Sequence, residues 1–413
     1  MSAMGAKLRP PEFKSDFFIG NRTRLRERFK GTAPIVLSAN GLLQKSADTA
    51  YEFCQDSSFW YLTGVNEPSV VLVMDKTSEY LILPEIDPRR EVFDGEINTD
   101  KLKKISGIDE VLSNEEGWGR LSRRVKKVKH IATLKPSPEY IAPLDMYANP
   151  ARAHLVRQFT ALNPELKLID LNKDLARLRS VKSAVEIEAI NYAIVHTTRI
   201  FKQIKRRLDS YQSENDILAE IMHYATANQL GLGYDPVIAS GKNGLTLHYS
   251  GGNCRINKSP LILDIGLSWQ GYAADITRTL LPQQTKRFIQ VHRAVYEIQQ
   301  KAISMLKPGA ILSDYEEAVS QYAGEKLREL GLIKTVEPKF IKRFYPHSTS
   351  HFLGLDVHDV GDYSEPIKTG MVLTVEPGIY IRQEGFGVRI EDDVLITDTG
   401  SVVLSNKLPG NLA

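Results

Sequence analysis

Four acids in the second half of the chain lie within or beside apolar runs, where carboxylates are least expected: Asp264, Asp275, Glu376 and Glu391. Asp264 follows Leu261-Ile262-Leu263, and Asp275 falls in the next β-rich run. Glu376 follows Val372-Leu373-Thr374-Val375 directly, so a strand interior is its expected place, and Glu391 stands beside Ile390. A lone pair of such acids is more often a satisfied structural pair than a metal site. Four in one region would bring about −4 of charge together, and carboxylates that close do not all ionise without compensation. Divalent cations supply it. Four carboxylates and one imidazole suit a pair of hard or borderline ions such as Mn²⁺ better than a thiolate-type structural zinc. Such a pair, bridged by carboxylates, leaves a shared water or hydroxide as nucleophile, which is hydrolytic chemistry.

Histidines accompany the acids. Three of the nine, His347, His351 and His358, fall within twelve residues, and His248 lies in Thr246-Leu247-His248-Tyr249. Taken singly, His248 reads as a hydrogen-bonded loop or core histidine, the trio as a surface cluster, and Glu391 near Arg389 as half of a structural ion pair. The whole set resists that reading, because the four segments share the same pattern of polar residues in β-like surroundings.

These side chains need a frame. Leu261–Arg278 reads as a β-hairpin turning through Ser268, Gln270 and Gly271. Ser183-Ala184-Val185-Glu186 is a capping box opening a helix whose buried stripe is Ile187, Ile190, Ile194, Phe201, Ile204 and Leu208. A second helix starts at Ser213. After the hairpin the arrangement recurs, with a helix carrying Phe288, Val291, Val295 and Ile298 that stops at Lys307-Pro308-Gly309, then another from about Ser313. Two helices followed by strands, twice over, hints at an internal duplication.

The first half alternates strands and helices, with strands at Ile35–Leu37, Val70–Met74, Tyr80–Leu83 and His130–Leu134, and arranges no titratable groups for chemistry. Arg120–Lys129 carries six basic residues. With Leu121, Val125 and Val128 at helical spacing it reads as a solvated helix face rather than an anion patch. Pro164 and the short strand Leu166–Ile169 suggest a linker. The expected division is therefore residues 1–170 and 171–413.

At 413 residues, either part can bury a full core. A net charge of +3 is too small to point to nucleic acid or membrane. The opening MSAMGAKLRPPEFK lacks the apolar core of a signal peptide, and no apolar run approaches the ~20 residues that span a bilayer. Cys54 and Cys254 form no ligand or redox motif, so a reducing cytoplasm is the expected compartment.

The stretches LILDIGLSWQGYAADITRT, STSHFLGLDVHDVG, GMVLTVEPGIYI and GVRIEDDVLIT, in this order, resemble the pita-bread metallopeptidases of family M24, in particular the aminopeptidase P group. DSSFWYLTGVNEPSVVLVM resembles that group's first domain. The resemblance implies an α/β (α+β) chain: a creatinase/prolidase-like α/β domain, then a pita-bread catalytic domain. It implies that Asp264 binds one metal, that His351 and Glu376 bind the other, and that Asp275 and Glu391 bridge both. Glu376 would also take the proton of an attacking hydroxide. His248 and His358 would line the substrate site and stabilise the tetrahedral intermediate, and His347 would lie near the scissile bond. Arg389 would brace the carboxylates, and Tyr380 would stand near the mouth.

The implied activity is removal of an N-terminal residue preceding proline, with two divalent ions, Mn²⁺ first and Co²⁺ or Zn²⁺ as alternatives. Substrates would be peptides with proline second, and the assembly a homodimer or homotetramer. Prolidase, restricted to Xaa-Pro dipeptides, is the same-class alternative. A non-catalytic pita-bread peptide-binding module is the different-class one. One departure is noted: where relatives place a tryptophan over the substrate, the loose match is Phe93.

Overall fold

Strand Leu261–Ile265 is the centre of a three-stranded antiparallel sheet, between Val237–Ser240 and Ile276–Leu280. Its apolar residues are buried, and its register sets Asp264 opposite Val237 on one side and Thr277 on the other. The computed structural model describes residues 9–411 except 86–90, 94, 137–140, 142–143, 145, 253, 257–258 and 281–284. Residues 12–178 and 179–413 form two compact units, residues 9–11 belonging with the second.

The first unit is a six-stranded mixed sheet. From one edge it runs Glu110–Leu112, Glu79–Ile82, Val71–Met74, Ile35–Ser38, His130–Thr133 and Lys167–Asp170. Strands Val71–Met74 and Glu79–Ile82 pair antiparallel as a hairpin. The stretch read as a linker is instead the edge strand, Lys167–Asp170, paired in parallel with His130–Thr133. Charges every few residues hid its place in the ladder, as is common at sheet edges. The basic segment is the end of helix Asn114–Val125, which buries Leu121 and Val125. Arg120 pairs with Glu110 at 2.8 Å and Arg124 with Asp75 at 3.1 Å, so this is a solvated face. Phe93 lies in a short helical stretch and is 85% exposed.

In the second unit both expected helix starts are capped. Ser183 with Glu186 opens Ala184–Arg206, and Ser213 with Asp216 opens Glu214–Ala227, each as a reciprocal box. Helices Lys286–Met305 and Leu312–Glu329 follow the central sheet and share one core with the later strands, Val291, Val295, Ile298, Val319 and Leu327 joining Leu373, Val375, Ile379, Val388 and Val394. The hairpin is interrupted. Residues between its two long strands form a second ladder, Leu267–Trp269 with Tyr272–Ala273, turning at Gln270 and Gly271, both at positive φ. Gly266 is obligatory at the break, because a Cβ there would come within 2.0 Å of the Ala274 carbonyl oxygen.

Residues 345–359, expected as β-like, are almost wholly irregular, with one bridge at Phe352. Buried ion pairs shape this segment instead. Asp359 accepts from Arg179 Nη2 (2.5 Å) and Lys182 Nζ (3.0 Å), and all three residues are buried. Burial raises the Asp359 pKa, yet the two cations hold it below its ordinary 3.8. Replacing Asp359 by Asn should therefore cost about 3–5 kcal/mol, since it leaves buried cations uncompensated. The carboxylate's contribution is complete above the unfolded-state pKa and is lost as pH falls through the lower folded value. Urea unfolding of wild type and Asp359→Asn across pH 3–7 should show curves that converge toward the acid end.

Candidate metal centre and active site

All five implied ligands line one cavity of about 790 Å³, together with Tyr234, His248, His347, His358 and Arg389. The elements that bring them there differ from the expected ones for three acids, the first being Asp275, which lies between Tyr272–Ala273 and Ile276–Leu280 rather than inside a strand. Glu376 is not inside a strand but just beyond Val372–Val375, and Glu391 fills the gap between Phe386–Arg389 and Asp392–Thr397. Strand ends let both side chains leave the sheet for the cavity without breaking a ladder.

Asp275, His351 and Glu391 are the tightest group, each offering a ligand atom within 4.8 Å of the others'. His351 Nδ1 bonds the Phe352 carbonyl at 3.0 Å. A carbonyl only accepts, so Nδ1 carries the hydrogen and Nε2 faces the acids. Nε2 lies 3.5 Å from both Asp275 Oδ2 and Glu376 Oε1, is buried, and has no hydrogen-bond partner. Asp264 is tied in from the other side. Its Oδ2 accepts from Arg389 Nη2 at 2.6 Å, and Tyr234 Oη reaches Asp264 Oδ1 (2.5 Å) and Asp275 Oδ1 (2.6 Å). A phenol has one proton to donate, so Tyr234 satisfies one of these carboxylates and not both.

The protonation pattern shows the same excess of negative charge. Burial, joined by the charges of Asp275, Glu376 and Asp264, pushes the Glu391 carboxyl well up. Burial also raises Asp275, and pushes Glu376 up to about 8 although His351 opposes it. Burial would lower His351, but its contact with Asp275 and the charge of Glu376 push it up to about 9. The cavity thus draws in positive charge. A buried imidazole nitrogen without a partner, facing carboxylates that share too few protons, fits divalent cations.

The remaining residues are held in fixed orientations. Thr277 Oγ1 donates to Glu391 Oε2 at 2.6 Å and accepts from Arg389 Nε at 3.2 Å. Arg389 Nη1 donates to Tyr380 Oη at 2.9 Å. His347 Nδ1 donates to the Ser348 carbonyl (2.9 Å), so its Nε2 accepts from Tyr380 Oη (3.0 Å). Burial, with the Arg389 charge, holds His347 down at about 4, and burial with His351 does the same for His358. Both are neutral at physiological pH. The His358 ring meets His351 edge-on, with 4.3 Å between centroids. His248 is exposed on the cavity wall. Tyr380 is buried, with only its hydroxyl directed into this network.

Three residues without an expected role matter here. Tyr234 is one. The others are Glu214, which accepts from Ser240 N (2.7 Å), Asn243 Nδ2 (2.9 Å) and Tyr249 Oη (3.0 Å), and Glu316, which accepts from the amides of Thr349 (2.8 Å) and Ser350 (2.9 Å). They clamp the loops that carry His248 and His351. In the sequence Glu214 is masked by its capping box, Glu316 by an ordinary helical turn.

The chain belongs to metallopeptidase family M24, whose model matches residues 188–398. The model of the aminopeptidase P N-terminal domain matches residues 18–132. Within that family the chain is similar to Xaa-Pro aminopeptidases. It is 31% identical to the one of Haemophilus influenzae over 99% of this chain and 97% of that relative, and 30% identical to the one of Escherichia coli over 94% of each. The structure of E. coli aminopeptidase P with the inhibitor Pro-Leu superposes with a TM-score of 0.82 at 28% identity, covering 96% of both chains. The fold is thus the mixed α/β one of that group, an N-terminal domain of its type followed by the pita-bread domain.

Chelator-treated protein should gain stability when a divalent cation is added, by about 2.7 kcal/mol at a hundredfold excess over the dissociation constant. The nearly isosteric Asp275→Asn should abolish that gain in a thermal-shift titration. An equal gain in the variant would remove Asp275 from the ligand set.

Proposed function

We propose that the protein is a dinuclear metal-dependent Xaa-Pro aminopeptidase, releasing an N-terminal residue from a following proline. Membership of family M24 and the Xaa-Pro aminopeptidase relatives support it. The observation that carries it is the Asp275–His351–Glu391 group with its unpartnered, acid-facing imidazole nitrogen. In this reading Asp264, Asp275, His351, Glu376 and Glu391 hold two divalent ions, Mn²⁺ first. Bound there, the ions would supply Lewis acidity and a nucleophilic water at neutral pH.

The chain's own side chains do the rest. Glu376, on the cavity wall beside His351 and the other acids, is placed to accept a proton as general base. His358 and His248 offer ring N–H donors from the cavity wall to the carbonyl oxygen that gains charge and to the leaving nitrogen. His347, neutral and bonded to Tyr380, is a fixed wall beside Glu376, with 3.7 Å between Nδ1 and Oε2. Arg389 aims Asp264 by its 2.6 Å contact. A proline nitrogen carries no hydrogen in the peptide, so general peptidases that bond that N–H handle the bond poorly. No helix among the described residues is long and apolar enough to cross a membrane. On its two free cysteines, which suit a reducing compartment, we assign the enzyme to the cytoplasm, acting on peptides as a homo-oligomer.

Asp264→Ala and Glu376→Ala should each lose at least about a thousandfold in kcat while remaining folded, because each removes a charge the chemistry requires. Circular dichroism beside a metal-supplemented assay of Arg-Pro-Pro reads both. Cleavage of an Xaa-Pro dipeptide but not of Arg-Pro-Pro would replace this reading with prolidase. Metal-free protein that binds Xaa-Pro peptides without hydrolysing them, even when supplemented, would replace it with a binding module.

A further inference from the structure

A second pocket, of about 430 Å³, adjoins the catalytic cavity. Leu247 lines both, and His248, the next residue, lines the cavity. Pro346 lines the second pocket while the next residue, His347, lines the first. Tyr380 walls the second pocket, yet its hydroxyl bonds Arg389 and His347 of the first. The two spaces are thus separated by one layer of side chains and share three chain segments.

Their charges are opposite. The catalytic cavity collects Asp264, Asp275, Glu376 and Glu391. The second pocket has no carboxylate among its lining residues and collects Lys342, Arg343 and Arg382. These three cations come from two separate segments, the one after helix Pro338–Ile341 and the turn after strand Gly378–Ile381. None forms an ion pair among the described residues. Glu384, two positions from Arg382, is instead held by Arg287 at 2.7 Å. Exposed cations usually only solvate a surface. Here they ring a concavity with an apolar floor (Leu245, Leu247, Phe344) directly beside the reacting groups.

A peptide is itself a dipole, cationic at the amine and anionic at the carboxylate. Its free amine is drawn to the acid-rich cavity and repelled by the basic pocket. The end that enters the basic pocket is therefore the one downstream of the scissile bond. We propose that Lys342, Arg343 and Arg382 bind a carboxylate of the leaving peptide a few residues beyond the proline. The source is either the C-terminal α-carboxylate of a short substrate or an acidic side chain of a longer one. This inference rests on the Xaa-Pro aminopeptidase reading and names its selectivity among such substrates.

The test uses the full-length, metal-loaded enzyme on Ala-Pro-(Ala)n with n from 1 to 4, each as free acid and as C-terminal amide. A second set of longer amides carries one Asp or one Lys in place of an alanine. At low salt, one chain length should show the acid favoured over the amide by roughly tenfold in kcat/KM, the combined effect of several partly exposed ion pairs. Preference confined to the acid-over-amide series identifies the α-carboxylate; preference for Asp over Lys in the amides identifies a side chain. Either should fall toward one in 0.5 M salt, as exposed charge pairs do. It should also fall in the Lys342→Ala/Arg343→Ala/Arg382→Ala variant, and Arg382→Glu should shift it toward Lys-containing peptides. Wild-type ratios near one in both series, or a preference that survives the triple variant, overturn the proposal while leaving the peptidase reading intact. No hydrolysis of any of these peptides overturns the peptidase reading, and this one with it.

Discussion

The structure depends on the cost of placing carboxylates beside one another away from water. Isolated, each would be neutralised by proton uptake. Together, Asp264, Asp275, Glu376 and Glu391 share one cavity with the guanidinium of Arg389, which donates to Asp264. The fold makes this tolerable by satisfying the acids' outer oxygens with rigid donors, Thr277 on Glu391 and Tyr234 between the two aspartates, while leaving the inner ones to converge. Even the backbone is enlisted: Arg278 donates to the Thr277 (2.8 Å) and Glu391 (2.5 Å) carbonyls, pinning the two ligand-bearing segments together. A charge cluster that cannot relax outward creates its own demand for cations.

The same logic operates one layer out. Glu214 and Glu316 each stand in the first turn or two of a helix that follows a long one, and each accepts from loop donors next to a histidine. A carboxylate has two oxygens and accepts only, so one residue organises several backbone amides whose direction then fixes the loop. That the two halves of the second unit use the same device in the same place agrees with the repeated order of helices and strands in the sequence. The irregular segment at residues 345–359 can thus hold His347, His351 and His358 in register without being a strand.

Much of this frame was legible beforehand because local rules and tertiary structure agree. The capping box at Ser183 and the helix start at Ser213 are read from a few residues each, and Leu261-Ile262-Leu263 beside a Gly-containing turn reads as a strand. Legibility failed where long-range pairing decides. The short strand near Leu166–Ile169 was legible, but its place as an edge of the six-stranded sheet was not, because that depends on His130–Thr133 lying beside it. Glu376 was misplaced into a strand since periodicity cannot tell a strand's last residue from the first one beyond it. Tyr234 was invisible as a site residue: nothing in a tyrosine near a β run indicates that its hydroxyl meets two aspartates 30 and 41 positions away.

The net charge of +3 conceals the polarity that substrate recognition needs. A chain so near neutrality exerts little long-range steering, and its fields matter within about a Debye length of ~8 Å. On that scale the second unit is sharply divided, with carboxylates on one side of Tyr380 and, on the other, cations that form no ion pair among the described residues. Tyr380 suits that boundary, being an apolar ring with one polar atom. Its hydroxyl joins the residues of the acid-lined cavity, accepting from Arg389 and donating to His347, while its ring belongs to the neighbouring pocket. Charge separation across a single aromatic layer gives a bound peptide a direction, and direction is what an enzyme that counts residues from one end of its substrate requires.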